Sequence, residues 1–175
     1  MELSGKRIAV LAEAQYEDLE LWYPVLRLRE AGASVTIVGT GSADTYRGKN
    51  GVPVVVDEDA DEVSAGDFEA VVVPGGYAPD RLRRYQPVLD LVRKTHEQSK
   101  VVAFICHAGW VPVSAGIVKG KRVTSVASIK DDLVNAGALW EDSEVVVDGA
   151  LISSRGPADL PAFCRAIIAA LTSAA

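Results

Sequence analysis

Val101-Val102-Ala103-Phe104-Ile105-Cys106-His107-Ala108-Gly109 runs from an apolar segment straight into a cysteine, a histidine and two small residues. An unbroken apolar run this short fits a strand buried on both faces, as in a parallel sheet, and is too short for a helix. Val111 to Ala115 then reads as helix. Cys106 therefore stands on a sharp strand-to-helix turn, and the Ala108-Gly109 pair lets a ligand approach closely.

Outward from this turn, strand and helix signals alternate. Lys6 to Ala12 is a short aliphatic strand, after which Leu21, Val25 and Leu28 recur at helical spacing until Gly32, where a C-terminal glycine is expected. Ser34 to Val38 gives the next strand, and Tyr46 to Val56 folds back through Asn50-Gly51, a favoured hairpin dipeptide. Ala70 to Val73 is another buried strand, ending in Pro74-Gly75-Gly76, and Val88, Leu91, Val92 and Thr95 mark the helix before Val101. Past the cysteine, Arg122 to Ser125 reads as strand, and Ser128 as the N-cap of a helix through Asn135 that Gly137 closes. Val145 to Val147 and Leu151 to Ser153 flank the hairpin signal Asp148-Gly149, and Leu160, Phe163, Ile167 and Leu171 line a last helix. This order predicts an α/β fold with a mostly parallel sheet covered by helices on both faces. At 175 residues, with no internal repeat or low-complexity segment, one domain over 1–175 is expected.

Composition excludes several functions. A net charge of −6 without a basic stripe opposes nucleic-acid binding. No apolar run approaches the ~20 residues of a membrane span, and no export signal is read, so a cytoplasmic protein is expected. Cys106 and Cys164 form no CxxC pair and are expected to be free thiols; with two scattered histidines they do not make a zinc site. The acidic stretch Asp57 to Glu62, with Asp67 following, lacks EF-hand spacing and reads as a solvated loop. Gly39-Thr40-Gly41 lacks the third glycine of a dinucleotide fingerprint, and there is no P-loop, GxSxG or HExxH. No metal and no cofactor are expected.

In such sheets ligands bind beyond the carboxyl ends of the strands. Three loops qualify: Glu13 to Asp18, Pro74-Gly75-Gly76 and Cys106 to Gly109. A cysteine at a helix start faces backbone N–H groups and the positive end of the helix dipole, which should lower its pKa. An inert core thiol is the bland alternative; the strand end, the small pair and the adjacent histidine favour a nucleophile elbow. Cys164, beside Phe163, lacks all three and reads as packing. His107 suits a general base or acid, or an orienting role, although adjacent residues on a sharp turn tend to point apart. His96 reads as solvated. Glu17 either complements the dipole of the first helix or, turned into the cleft, has its pKa raised by burial and hydrogen-bonds the thiolate through a protonated carboxyl. Glu13, Asp18 and Glu20 compete for that role, and spacing alone does not choose among them.

These residues resemble the PfpI family of the ThiJ/PfpI superfamily from nearly end to end. The likeness is carried by YEDLELWYPVLRLREAG (16–32), VVVPGGYAP (71–79), AFICHAG (103–109) and IKDDLVNAGALWEDSEVVVDGALISSRGPADL (129–160). The resemblance implies a flavodoxin-like fold, a homodimer or larger assembly, and intracellular peptidases or stress proteins. By motif position Cys106 matches the nucleophile, His107 its neighbour, Glu17 the carboxyl at the thiol, and Gly75 and Gly76 the backbone donors of an oxyanion hole. Asp80 stands where the family draws a carboxylate, usually glutamate, from the adjacent subunit onto the histidine. The family's Cys-His-Gly-Pro continues here as Cys-His-Ala-Gly-Trp, so Trp110 alters the pocket rim or an interface. The implied activity is a cysteine hydrolase of peptides or amides. Alternatives are cofactor-independent action on methylglyoxal or early glycation adducts, and a non-enzymatic chaperone or redox sensor that oxidises at Cys106.

Overall fold

The computed structural model describes residues 1–173. Its first half runs β1 (Arg7–Leu11), α1 (Asp18–Glu30), β2 (Ser34–Gly39), β3 (Thr45–Arg47), β4 (Pro53–Val55), β5 (Glu58–Asp59) and β6 (Ala70–Val73). There follow α2 (Ala78–Leu82), α3 (Gln86–Glu97), β7 (Val101–Ile105), α4 (Trp110–Ala115), β8 (Arg122–Val123) and α5 (Lys130–Asn135). The chain closes with β9 (Leu139–Trp140), β10 (Val145–Asp148), β11 (Leu151–Ser154) and α6 (Leu160–Ser173).

The apolar strands collect into one seven-stranded sheet in the order β10-β11-β7-β6-β1-β2-β5. All neighbours run parallel except β10, which pairs antiparallel with β11 through the Asp148-Gly149 hairpin. β6, β7 and β11 are buried at every position, as strands covered on both faces must be. α1 packs with α6 and α3 with α4, and both α3 and α6 rest on β7. This is the flavodoxin-like α/β architecture. From β1 the chain moves to one side through β2 and returns on the other through β6, so the loops after β1 and β6 part at a switch point, where such sheets bind ligands. A bridge between Tyr16 and Gly76 ties those two loops together.

Several local expectations change. The acidic stretch is not wholly a solvated loop: Glu58 and Asp59 form β5 on the edge of β2, and the Asp57 carboxylate accepts the Ile37 N–H at 2.7 Å. The open edge of β2 has donors to satisfy, and the nearest acidic residue satisfies one. β8 is shorter than expected and pairs with β9 outside the main sheet; the Thr124 N–H goes instead to Ser153 Oγ at 2.9 Å. Ser128 caps no helix. It lies in a 3-10 turn, Ala127–Ile129, and α5 begins after it. His96 is half-buried, its Nδ1 has no partner among the described residues, and burial pushes its pKa down. Cys164 is buried on the inner face of α6, as packing requires. No helix among the described residues is long and apolar enough to cross a membrane.

One buried carboxylate positions the small hairpin over the sheet end. Asp18, at the start of α1, accepts the Asn50 N–H at 2.9 Å, the Asn50 side-chain amide at 3.1 Å and the Val52 N–H at 3.0 Å. Gly48 has no room for a side chain there, since a Cβ would lie 2.3 Å from Asp18 Oδ1. Hydrogen bonds to a charged acceptor are worth about 1.5–3 kcal/mol, and losing this one strands several donors. Asp18→Ala is therefore expected to lower the unfolding free energy by about 2–3 kcal/mol in urea denaturation, with Asp18→Asn intermediate.

Candidate active site

Cys106 occupies the left-handed region at φ +62°, one of three non-glycine residues that do so among the described residues. Such a conformation costs of order 1–3 kcal/mol and persists only where the surroundings hold it. Here β7 is buried along its whole length up to Ile105, and a 3-10 turn, Cys106–Gly109, leads directly into α4. The strand cannot shift and the helix cannot unwind, so the strain falls on the cysteine and turns its side chain into a cleft. That cleft, about 220 Å³, is lined by Glu17, Glu20, Lys49, Tyr77, Cys106 and His107, among others.

Adjacent residues on a tight turn tend to diverge, yet these two meet. Cys106 Sγ lies 3.4 Å from His107 Nδ1, and His107 Nε2 lies 3.2 Å from Ser128 Oγ. Burial, followed by the Lys49 charge, pushes the His107 pKa down, so the ring is neutral at pH 7.

The carboxyl beside the thiol is that of Glu20, not that of Glu17. Glu17 caps α1: its Oε2 accepts the Glu20 N–H at 2.8 Å, which leaves it on the cleft wall, directed at the helix end. Glu20, fully buried one turn later, accepts the Gly75 N–H at 2.8 Å through Oε2. Its Oε1 is buried without a partner among the described residues. The Glu20 pKa is pushed up to about 8, by burial first and then by the Glu17 charge, against the Gly75 N–H. At neutral pH Glu20 keeps its proton.

The sulfur corrects a second expectation. Its pKa is pushed up to about 12, by burial first and then by the Glu20 charge, while the N–H groups of His107 and Gly76 pull it down. The turn alone does not make a standing thiolate. Thiol and carboxyl share one largely buried site that resists holding two negative charges, so the sulfur deprotonates most readily while Glu20 keeps its proton or another group takes the charge.

The two glycines divide their roles. Gly75 has its N–H engaged by Glu20 and is not a free oxyanion donor; Gly76, at φ +82°, directs its N–H to the sulfur. Asp80 lies outside the cleft within this chain, on α2, half-exposed and paired with Arg84. Glu20 was one of four competing carboxylates in the sequence; Lys49 and Ser128 carried no signal, because a hairpin tip and a 3-10 turn reach the site only through tertiary packing. Among the described residues no group of three or more His, Cys, Asp or Glu side chains could hold a metal.

A sequence model described as the DJ-1/PfpI family matches residues 6–170. The chain belongs to the DJ-1/PfpI family. It is 43% identical over 162 residues to the deglycase PfpI of Pyrococcus furiosus, covering 93% of this chain and 97% of that one. It is 41% identical over 161 residues to YraA of Bacillus subtilis, named as a candidate cysteine protease, covering 92% and 95% respectively. Among solved structures it resembles a two-domain protein of Anabaena variabilis with a DJ-1/ThiJ/PfpI-like and a ferritin-like domain, with a TM-score of 0.93 and 40% identity. That match covers 95% of this DJ-1/PfpI chain and 48% of the Anabaena chain.

The raised carboxyl has a consequence for stability. Between its ordinary value of 4.5 and its folded value of about 8, Glu20 holds a proton in the folded state that the unfolded chain has lost. Stability therefore falls as pH rises through this window, by roughly 4 kcal/mol at full effect. Unfolding free energies measured from pH 4.5 to 8 should show that decline in the wild type and a flatter profile in Glu20→Gln. In Glu17→Gln the slope should persist.

Proposed function

We propose that this chain is a cofactor-independent, cysteine-dependent enzyme that removes reactive carbonyl adducts from amines, a deglycase, with Cys106 as nucleophile. The observation that carries the reading is the placement of Glu20: a buried carboxyl beside the sulfur, whose Oε2 already accepts the Gly75 N–H. Peptide hydrolysis asks for paired, fixed donors aimed at a tetrahedral oxyanion. Here one of the two expected donors is engaged and the other serves the sulfur. The cleft of about 220 Å³ also falls below the ~300–1,000 Å³ usual for drug-sized ligands and suits a three-carbon fragment better than an extended chain. The Pyrococcus furiosus relative's name points the same way. The peptidase reading ranks second, supported by the Cys106–His107 contact and the name of the Bacillus relative.

On a methylglyoxal hemiaminal, the Cys106 sulfur attacks the carbon bearing nitrogen and hydroxyl, and the C–N bond breaks. The S–H proton passes through His107 Nδ1 to the departing amine. The resulting hemithioacetal becomes a thioester when its carbon-bound proton moves to the neighbouring ketone carbon and its hydroxyl proton to the neighbouring oxygen. Neutral His107 is the base for the first transfer, and the Glu20 O–H supports the negative oxygen that develops. Water then cleaves the C–S bond, which releases lactate and restores the thiol. Free methylglyoxal follows the same course after direct addition.

N-acetyl-lysine treated briefly with methylglyoxal, incubated with wild type and with Cys106→Ala, tests the proposal through lactate release. The expected result is lactate from the wild type and a loss of at least 100-fold in the variant, the scale of removing a covalent catalyst. Adduct removal that persists in Cys106→Ala, or fluorogenic peptide turnover that exceeds adduct turnover, overturns it.

A further inference from the structure

We propose that Ser128 is the positioning residue that sets the tautomer of His107, so that the relay Cys106–His107–Ser128 is complete within one chain. The inference rests on reading Cys106 and His107 as the reacting pair. It assigns to a neutral hydroxyl of the same chain the task for which the family resemblance implies a carboxylate from a neighbouring subunit.

The geometry is a line of three groups. Sγ meets Nδ1 at 3.4 Å, and Nε2 meets Ser128 Oγ at 3.2 Å. When Ser128 Oγ accepts the Nε2–H, the Nδ1 lone pair faces the thiol, which is the tautomer a base requires. After the thiol proton moves to Nδ1, the imidazolium still donates Nε2–H to the same oxygen. The ring need not turn during the transfer. A neutral acceptor also leaves the ring's affinity for a proton low, as burial and Lys49 already make it; a carboxylate at that place would raise it.

The surrounding residues explain why Ser128 arrives there. It is released from capping because α5 begins two residues later with no side-chain cap. Gly109 gives the segment room: a Cβ would lie 3.2 Å from Ile129 Cδ1 and 3.4 Å from Leu133 Cδ1. Trp110 then clasps it, donating Nε1–H to Asp132 at 2.7 Å while its ring tilts against His107 with centroids 5.3 Å apart. The Ala-Gly-Trp that departs from the family's Gly-Pro is thus what docks the Ser128 turn on the histidine. Asp80 is paired with Arg84 on α2. The other titratable groups lining the cleft with the ring are Cys106 on its own turn, Glu17 and Glu20 from the cap and first turn of α1, Lys49 from the hairpin and Tyr77 before α2; Asp132 is held by Trp110.

Iodoacetamide alkylation of Cys106 across pH, together with ¹⁵N NMR of the imidazoles, tests the assignment without any substrate. The chain has two histidines, so each ring is resolved by comparison with His96→Gln. The wild type should show His107 as the Nε2–H tautomer. Ser128→Ala should mix the tautomers and slow alkylation at pH 7 about fivefold, the scale of one lost hydrogen bond. Ser128→Thr should restore both to within twofold, and Ser128→Asp should move the His107 titration upward. An unchanged tautomer and alkylation within twofold in Ser128→Ala overturn the proposal, as does a shift in Asp80→Asn with none in Ser128→Ala, which would assign the role to a neighbour's carboxylate. Correct alkylation behaviour without lactate release would remove the deglycase reading and leave the relay standing.

Discussion

Gly75 is the tightest contact between the carboxyl and the thiol, and the site follows from it. A Cβ there would lie 2.3 Å from Glu20 Oε2, 2.8 Å from Cys106 Cβ and 2.9 Å from the Ile105 carbonyl oxygen. Only bare backbone fits between the carboxyl of α1 and the thiol at the end of β7. Because it fits, loops from three parallel strands meet at one point, and Glu20 and Cys106 share one cleft. The left-handed Cys106 is held by the same closure, since relaxing it would drive the sulfur into Gly75 or pull β7 from the sheet.

This closure decides the electrostatics. A helix dipole near its N-terminus is worth about 0.3–1 kcal/mol, well under one pKa unit. α4, which follows the cysteine, has six residues, so its dipole is at the weak end. Against it stands burial of the sulfur, the largest cause of its raised pKa, to which the Glu20 charge adds only where that carboxyl has lost its proton. Burial wins. The site therefore keeps its protons at rest and moves them only when a carbonyl arrives to receive them, and His107, neutral and in contact with the sulfur, is the group through which they move.

What could be read beforehand follows from how local each signal is. Val101 to Ile105, the Leu21, Val25 and Leu28 stripe and the Asn50-Gly51 and Asp148-Gly149 turns are written in consecutive residues, and each forms where its pattern implies. The elbow at Cys106 belongs to this class. The identity of the partnering carboxylate does not: Glu17 and Glu20 are three apart on one helix start, and which of them meets the thiol depends on Gly75, a residue 55 positions from Glu20. A capping carboxylate folds back on its own helix, so the first acidic residue is held there and the one a turn later projects into the cleft. Ser128 failed as a cap for the converse reason. Its serine-before-helix pattern is local, but contact with His107, 21 residues away, places it elsewhere.

A site that stores protons also ranks the chemistries open to it. Adding a thiol to an aldehyde or a hemiaminal creates no net charge, provided the S–H proton is delivered to the oxygen or nitrogen that needs it. A thiol whose burial favours the protonated form loses little in such a step, because it is never required to stand as a free anion. Cleaving an unactivated amide asks for more, a strongly nucleophilic sulfur together with two donors on the oxyanion, and Gly75 has already given its N–H to Glu20. Reversible oxidation asks for thiolate outright, since susceptibility follows thiolate character and exposure. With the sulfur half-buried and in contact with His107, carbonyl addition with the proton passed along that ring is the step this geometry serves best.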